Sequence, residues 1–263
     1  MKTLIFVLII IFSIQITIAN PVADAVKVTY KLSHRVIAPG DTFLVEFTFR
    51  IKQGWHIYWV NPGDAGLPTI IEPKDNIIGK QLEVLMDIPK IFKEEDLVFY
   101  CYEDKTTMVS KFIIDRNTKM GTNTLDFDIS WLMCKNECYP GKINFKIPVE
   151  IAENSVKTNK VKIEKYPQNR KKETFDASIV DNSIVFNIPR SSNKNVDFYP
   201  LTPGYLVYDK IKITKKQDNF EVHLPLDKFR ENNPNEIDGL FVFRNENGRI
   251  KQKSFYSKIL IKN

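Results

Sequence analysis

Little in this chain points to a familiar catalytic centre. It has no Ser-His-Asp order, no phosphate-cradling glycine loop and no His-Glu-x-x-His, so hydrolase and nucleotide-binding readings gain no support. With three histidines and three cysteines it has no second cysteine pair and no paired histidines, which leaves zinc without a tetrahedral set. Cys134, Cys138 and Met133 would suit a softer ion such as Cu(I), but no metal and no other cofactor is assigned. No window of a dozen residues carries a convincing 3.6-residue period, so long amphipathic helices are not expected. Beyond residue 19 the chain also lacks the roughly 18 consecutive apolar residues of a spanning helix.

Charge is not concentrated either. A net charge of +6 over 263 residues is modest, whereas a nucleic-acid binder gathers its Lys and Arg on one face. The densest basic stretch is Lys157 to Lys172, with seven Lys/Arg among sixteen residues. It also holds Thr158, Asn159, Pro167 and Gln168 and shows no apolar period, so it reads as a solvated linker. A docking strip for an anionic membrane or an acidic partner is the alternative. No nucleic-acid partner is expected, and membrane association is peripheral at most.

The longest apolar run lies at the N-terminus. Met1-Lys2 forms a short positive region, Leu4 to Ile18 is almost unbroken, and Thr17-Ile18-Ala19 offers a small-residue cleavage site. Ser13, Gln15 and Thr17 interrupt the run, which suits an exported leader better than a permanent span. Residues 1–19 are therefore read as a signal peptide, with an uncleaved anchor as the alternative.

Past the leader, the chain alternates at the period of β-strands. Phe43, Val45, Phe47, Phe49 and Ile51 fall on one face, with Glu46, Thr48 and Arg50 on the other. Val26–Tyr30, Met108–Ile114, Leu125–Ile129 and Ile143–Ile151 read the same way, separated by turn signals at 38–41, 61–64 and 119–123. After the basic stretch come Ser183–Ile188, Tyr205–Tyr208, Phe220–Leu226, Leu240–Phe243 and Phe255–Ile261, with one short helix expected over Asp227–Asn232. The pattern predicts an all-β chain of two antiparallel β-sandwich domains. The expected division is 1–19 leader, 20–152 first sandwich, 153–173 basic linker and 174–263 second sandwich.

Chemistry concentrates in the first sandwich. Cys134 and Cys138 stand four apart at the end of a strand, in a chain read as exported, where a disulfide can persist. Extended residues at that spacing lie roughly 13 Å apart, but a disulfide needs Cα atoms within about 7 Å. The chain must turn at Lys135-Asn136-Glu137, and Pro140 cannot extend a central ladder. Such a small closed loop stabilises the fold by only about 2 kcal/mol, which suits exchange better than stapling. Cys101 is the odd thiol, read by default as a small buried hydrophobe, with a rearranged Cys101 bridge as the minority view. Lys135 should favour a thiolate at Cys134, and Glu137 should disfavour one at Cys138.

A second dense segment, Gly54 to Thr69, combines Trp55, His56 and Trp59 with prolines and glycines, so a strand runs there into a rigid loop. Its aromatics are either core and rim residues or one wall of a partner-binding surface. His56 could assist thiolate formation if it neared a cysteine.

Gly54-Trp-His-Ile-Tyr-Trp59, Asn61-Pro-Gly-Asp-Ala-Gly-Leu-Pro-Thr69, Tyr100-Cys-Tyr-Glu-Asp104 and Trp131-Leu-Met-Cys134 with Cys138-Tyr-Pro140 together resemble the periplasmic N-terminal region of DsbD-type disulfide reductases, nearest the ScsB-like branch. The resemblance implies an immunoglobulin-like sandwich with one redox-active pair, here Cys134 and Cys138. It makes Cys138 the sulfur that forms mixed disulfides and Cys134 the resolving thiol. It also places an aromatic cap at Phe99-Tyr100, over the pair. The branch usually has glycine where this chain has Cys101. The family's transmembrane region and thioredoxin-like domain have no counterpart before Asn263, which implies a separate membrane-embedded thiol reductase and thioredoxin-fold periplasmic partners. The expected role is thus a periplasmic thiol–disulfide exchange carrier, a component of a protein-disulfide reductase. The rival is a non-catalytic secreted binding module whose 134–138 bridge is structural. Partner identity and direction of electron flow stay open at this point.

Overall fold

A computed structural model describes residues 24–74, 78–167, 173–189, 195–245 and 254–262, so the expected leader lies outside the described residues. Their regular structure is β, and the one helical element among them is a single 3-10 turn at Tyr208–Lys210. In the first half the strands Val26–Leu32, Thr42–Ile51, Lys105–Ile114 and Gly79–Met86 form a four-stranded antiparallel sheet. It faces a larger sheet whose spine is the hairpin Gly121–Cys134 and Cys138–Ile151. Phe43, Phe47 and Phe49 are fully buried between the two. Phe47 meets Phe127 at 5.4 Å and Phe49 meets Trp131 at 6.0 Å, ring centroid to centroid. The inward alternation read from the sequence is therefore the core, and each such side chain contributes about 1.5–3 kcal/mol by leaving water.

Strand Cys138–Ile151 runs through Pro140, which pairs with Leu132. A proline is tolerated there because the strand's other neighbour, His34–Ile37, reaches only Glu150 and Ile151. At Pro140 the strand is an edge.

Over its described residues the basic stretch keeps its lysines exposed, yet it also docks through a few apolar side chains. Val156–Lys157 pairs with His34–Ile37, and Val161, Ile163 and Tyr166 then pack on Leu44, Leu85 and Val109, on the outer face of the four-stranded sheet. The Tyr166 hydroxyl bonds to Thr107 Oγ1 at 2.6 Å, and Lys165 Nζ donates to the same oxygen at 2.6 Å and pairs with Asp87 at 3.2 Å. Three apolar side chains without a period suffice when the receiving sheet already presents aliphatic residues.

The second half forms one seven-stranded sheet, in the order Asn195–Pro200, Glu236–Arg244, Phe255–Lys262, Glu173–Val180, Ser183–Pro189, Asn219–Pro225, Lys212–Lys215. Phe186 and Phe241 sit on strands three places apart, about 14 Å in a flat sheet. Their rings are 6.2 Å apart, so the sheet folds over itself around Phe175, Phe186, Phe241 and Phe255. Two sequence expectations fail here. Tyr205–Tyr208 is not a strand: Leu206 makes an isolated bridge to Leu226 and the 3-10 turn comes next. Asp227–Asn232 is not a helix, because the Asp227 side chain accepts the Phe229 amide at 2.8 Å and holds the segment as a turn.

The halves share a buried aromatic cluster. Tyr100 lies 5.7 Å from Tyr199 and 5.8 Å from Tyr208, and Trp59 lies 6.1 Å from Tyr199. Asn61, fully buried, donates to the Pro200 carbonyl at 2.8 Å.

Gly141 offers a sign test of the packing. A Cβ there would stand 2.3 Å from the ring of Trp131, its cross-strand partner. A glycine replaced without strain by alanine gains about 0.4–1 kcal/mol through the unfolded chain. Here Gly141→Ala should instead destabilise by about 1–3 kcal/mol through overpacking, read as a lower denaturation midpoint at unchanged m-value.

Candidate functional site

The two long strands end on the cysteines. Cys134 is the last residue of one and Cys138 the first of the next, facing each other as the final rung of the ladder. Lys135-Asn136-Glu137 makes the turn, and the Lys135 amide donates to the Glu137 carbonyl at 3.1 Å. The rung is closed by a disulfide with Cα atoms 4.1 Å apart. Cys134 is 3% exposed, whereas Cys138 is open to solvent.

The neighbouring strand, His56–Gly63, sets the surroundings through its pleat. Cys134 stands opposite His56, and Tyr58 opposite Cys101 of strand Leu97–Tyr102. Residues two apart in a strand share a face, so Cys134, His56, Tyr58, Cys101 and Phe99 all point to one side. Phe92 of strand Lys90–Glu94 pairs with Phe99 and joins them. Ile57, Trp59, Tyr100 and Tyr102 point to the other side and are buried.

The residues expected at the site therefore separate. His56 lies next to the cysteines, with its ring stacked on Phe92 at 6.2 Å. Phe99 stands beside them, its ring 6.5 Å from Tyr58. Tyr100, expected over the pair, is instead 2% exposed and packed in the cluster between the halves, because it is one residue out of phase with Phe99. Trp59 belongs to the same cluster. Trp55 sits at the rim of the core, its ring 6.1 Å from Tyr139.

Tyr58 is the residue that sequence reasoning missed, although its i+2 relation to His56 was there to be read. Its hydroxyl donates to Cys134 Sγ at 3.4 Å and lies 3.3 Å from His56 Nε2. One hydroxyl proton cannot serve both neighbours, so donation to sulfur requires His56 to carry its proton on Nε2. Burial, with the nearby Cys101, pushes the Tyr58 pKa up to about 12, so the hydroxyl keeps its proton at neutral pH. Burial lowers the His56 pKa, against the pull of Glu103, and so favours the neutral imidazole. Gly66 holds the loop across the Tyr58 ring: at φ +110° a Cβ would stand 2.6 Å from Cε1.

Cys101 is a buried free thiol in the same wall, pushed up to about 12 by burial and then by Glu103. Strand His56–Gly63 lies between it and Cys134. Two strand spacings are about 10 Å, beyond the roughly 7 Å that a disulfide can bridge. A rearranged Cys101–Cys134 bridge thus needs backbone movement. Among the described residues no group of three or more ligand-type side chains could hold a metal ion.

A cavity of about 510 Å³ opens on this face, with His56, Tyr58, Phe92, Phe99, Cys134 and Cys138 in its walls. The walls combine an exposed sulfur, a buried sulfur under a hydroxyl, and aromatic cover. Chemically, Cys138 is open to an incoming thiolate, and Cys134 Sγ has a hydrogen-bond donor beside it.

The pleat generates two opposite expectations for neighbouring residues. Phe99→Ala should leave the fold intact and speed reduction of the disulfide by dithiothreitol several-fold, since access partly governs exchange. Tyr100→Ala should instead cost about 3–5 kcal/mol in chemical denaturation, because it empties a core position. A further measurement concerns acid. His56 has a folded pKa below its ordinary 6.5. In that window the unfolded chain binds a proton that the folded one does not, so stability falls as pH drops below about 6.5. His34 is lowered too, again mainly by burial. His56→Gln should therefore abolish part, not all, of the loss in Tm between about pH 7.5 and 5.

Known proteins share this fold. A family model described as thiol:disulfide interchange protein DsbD, N-terminal, matches residues 22–150. Among solved structures, the N-terminal periplasmic domain of ScsB from Proteus mirabilis superposes with TM-score 0.62 at 12% identity, over 92% of this chain and 96% of that one. The reduced N-terminal domain of Neisseria meningitidis DsbD aligns with TM-score 0.31 at 13% identity, over 49% of this chain and 90% of that one. No match was found among curated protein sequences. With an immunoglobulin-like β fold, a cysteine pair closing its longest hairpin and the family match across both, residues 22–150 are a DsbD-type N-terminal domain, a thiol–disulfide interchange module.

Proposed function

We propose that Cys134 and Cys138 are the working pair of a periplasmic thiol–disulfide exchange carrier, which takes reducing equivalents from a membrane-embedded thiol reductase and passes them to thioredoxin-fold partners. The observation that carries this reading is the asymmetry of the pair: an exposed Cys138 beside a Cys134 that is 3% exposed and hydrogen-bonded by Tyr58. A purely structural bridge gains nothing from that arrangement.

In the reducing direction the Cys138 thiolate attacks a partner disulfide, forming a mixed disulfide and releasing one partner thiol. Cys134 then attacks Cys138 Sγ, the second partner thiol leaves, and the carrier pair is oxidised as the partner is reduced by two electrons. The Tyr58 hydroxyl, oriented by His56, stabilises the Cys134 sulfur while it carries negative charge. In this reading residues 1–19 are a signal peptide and 20–152 the redox domain. Residues 153–173 connect it to a second β domain over 174–263.

The test is trapping. Cys134→Ala should accumulate mixed disulfides with thioredoxin-fold proteins, because the resolving thiol is gone, and Cys138→Ala should trap little. The reduction potential of the pair should lie above about −300 mV, the region of exchange-competent bridges. Equal trapping by both variants, or a potential below that value, would favour a structural bridge.

A further inference from the structure

We propose that the cavity beside the cysteine pair is a binding site for a small, net-anionic, cysteine-containing peptide disulfide, so that the pair also exchanges with low-molecular-weight thiols. This rests on the exchange chemistry proposed above and adds a substrate class to the same site.

Size is the first argument. A partner protein that docks on this face delivers one cysteine side chain to Cys138, which fills a small part of about 510 Å³. That volume lies within the roughly 300–1,000 Å³ of sites that enclose whole small molecules. The lining is of the matching kind: Phe92, Phe99 and Leu132 supply apolar wall, and Lys93, Glu94, Lys135 and Asn136 are its exposed polar residues.

Charge is the second. Lys93 and Lys135 both line the cavity. Neither forms an ion pair with another described residue, although many of the chain's lysines do. The Lys135 stem lies along Gly54, with Cε 3.4 Å from where a Cβ of that glycine would stand. Two lysines and one glutamate in the lining give it a net positive charge, which favours an anionic ligand. Glu94, also in the lining, suits one ammonium group. A tripeptide-sized thiol with two carboxylates and one amine meets all three.

The exchange balances without another reagent. The Cys138 thiolate attacks one sulfur of the peptide disulfide, that S–S bond breaks, and one peptide thiolate leaves and takes up a proton. Cys134 then attacks Cys138 Sγ and expels the second peptide thiol. The peptide disulfide is reduced to two thiols, and the carrier pair is oxidised to the 134–138 bridge.

Glutathione disulfide is the probe, with uncharged hydroxyethyl disulfide as its control. The reduced full chain should be oxidised by glutathione disulfide at a rate that saturates with concentration, and about tenfold faster than by the control at low concentration. In Cys134→Ala the product should be one glutathionyl group on Cys138, read by intact mass. The double variant Lys93→Ala/Lys135→Ala should bring the ratio of the two rates close to one, as should high salt, which screens exposed charges. Lys93→Arg/Lys135→Arg should restore it. A linear concentration dependence, or a ratio that the double alanine variant leaves unchanged, would overturn the proposal. If hydroxyethyl disulfide and thioredoxin-fold proteins exchange normally while glutathione disulfide shows no preference, the peptide site alone is wrong. If no disulfide oxidises the pair, the exchange reading falls and this site with it.

Discussion

The hairpin Gly121–Cys134 and Cys138–Ile151 pairs fourteen rungs in unbroken register, and the rest of the first half depends on that register. Its side chains alternate between the core and the outer face, so a slip of one residue would turn Phe127 and Ile129 to solvent. The same slip would move Cys134 away from Cys138 and from Tyr58. The packing energy of a whole β-sandwich therefore fixes the position of one sulfur. The core, rather than the disulfide, holds the register.

The same pleat sorts the aromatic residues. Phe99 and Tyr100 are neighbours in the chain with opposite tasks: Phe99 stands at the sulfur cavity, and Tyr100 is locked against Tyr199 and Tyr208. His56 and Trp59, three apart, separate in the same way. The strand beside the cysteines is thus held from behind by the second half of the chain, through a cluster that water does not reach. One wall of the cysteine-lined cavity is supported by residues some hundred positions away in sequence.

Connection between the halves obeys a related logic. The segment from Val156 to Tyr166 crosses the outer face of the four-stranded sheet, buries the carboxylate-bearing side of that sheet and ends in the Tyr166–Thr107–Lys165–Asp87 network. Glu46 is mostly buried there and pairs with Lys31 at 2.9 Å. Lysine-rich composition did not prevent docking: the lysines stay exposed while Val161, Ile163 and Tyr166 pack on the sheet.

Much was legible from the chain alone. Period-two alternation located nine of the nineteen described strands, both strands of the long hairpin among them, since burial of one face is a local pattern. The spacing of Cys134 and Cys138 required the turn, since an extended chain cannot bridge them. Family motifs pointed to the pair and to His56 and Phe99. Other features needed the assembled sheet. The relay from His56 through Tyr58 to Cys134 depends on which residues face each other across strands, a register that no single segment encodes. The displacement of Tyr100 into the core, the docking of the linker and the isolation of Cys101 depend on which distant surfaces meet. Sequence by itself determined the long alternating strands and the chemistry available to them; tertiary packing decided which side chains share a face, and so which of them can act together.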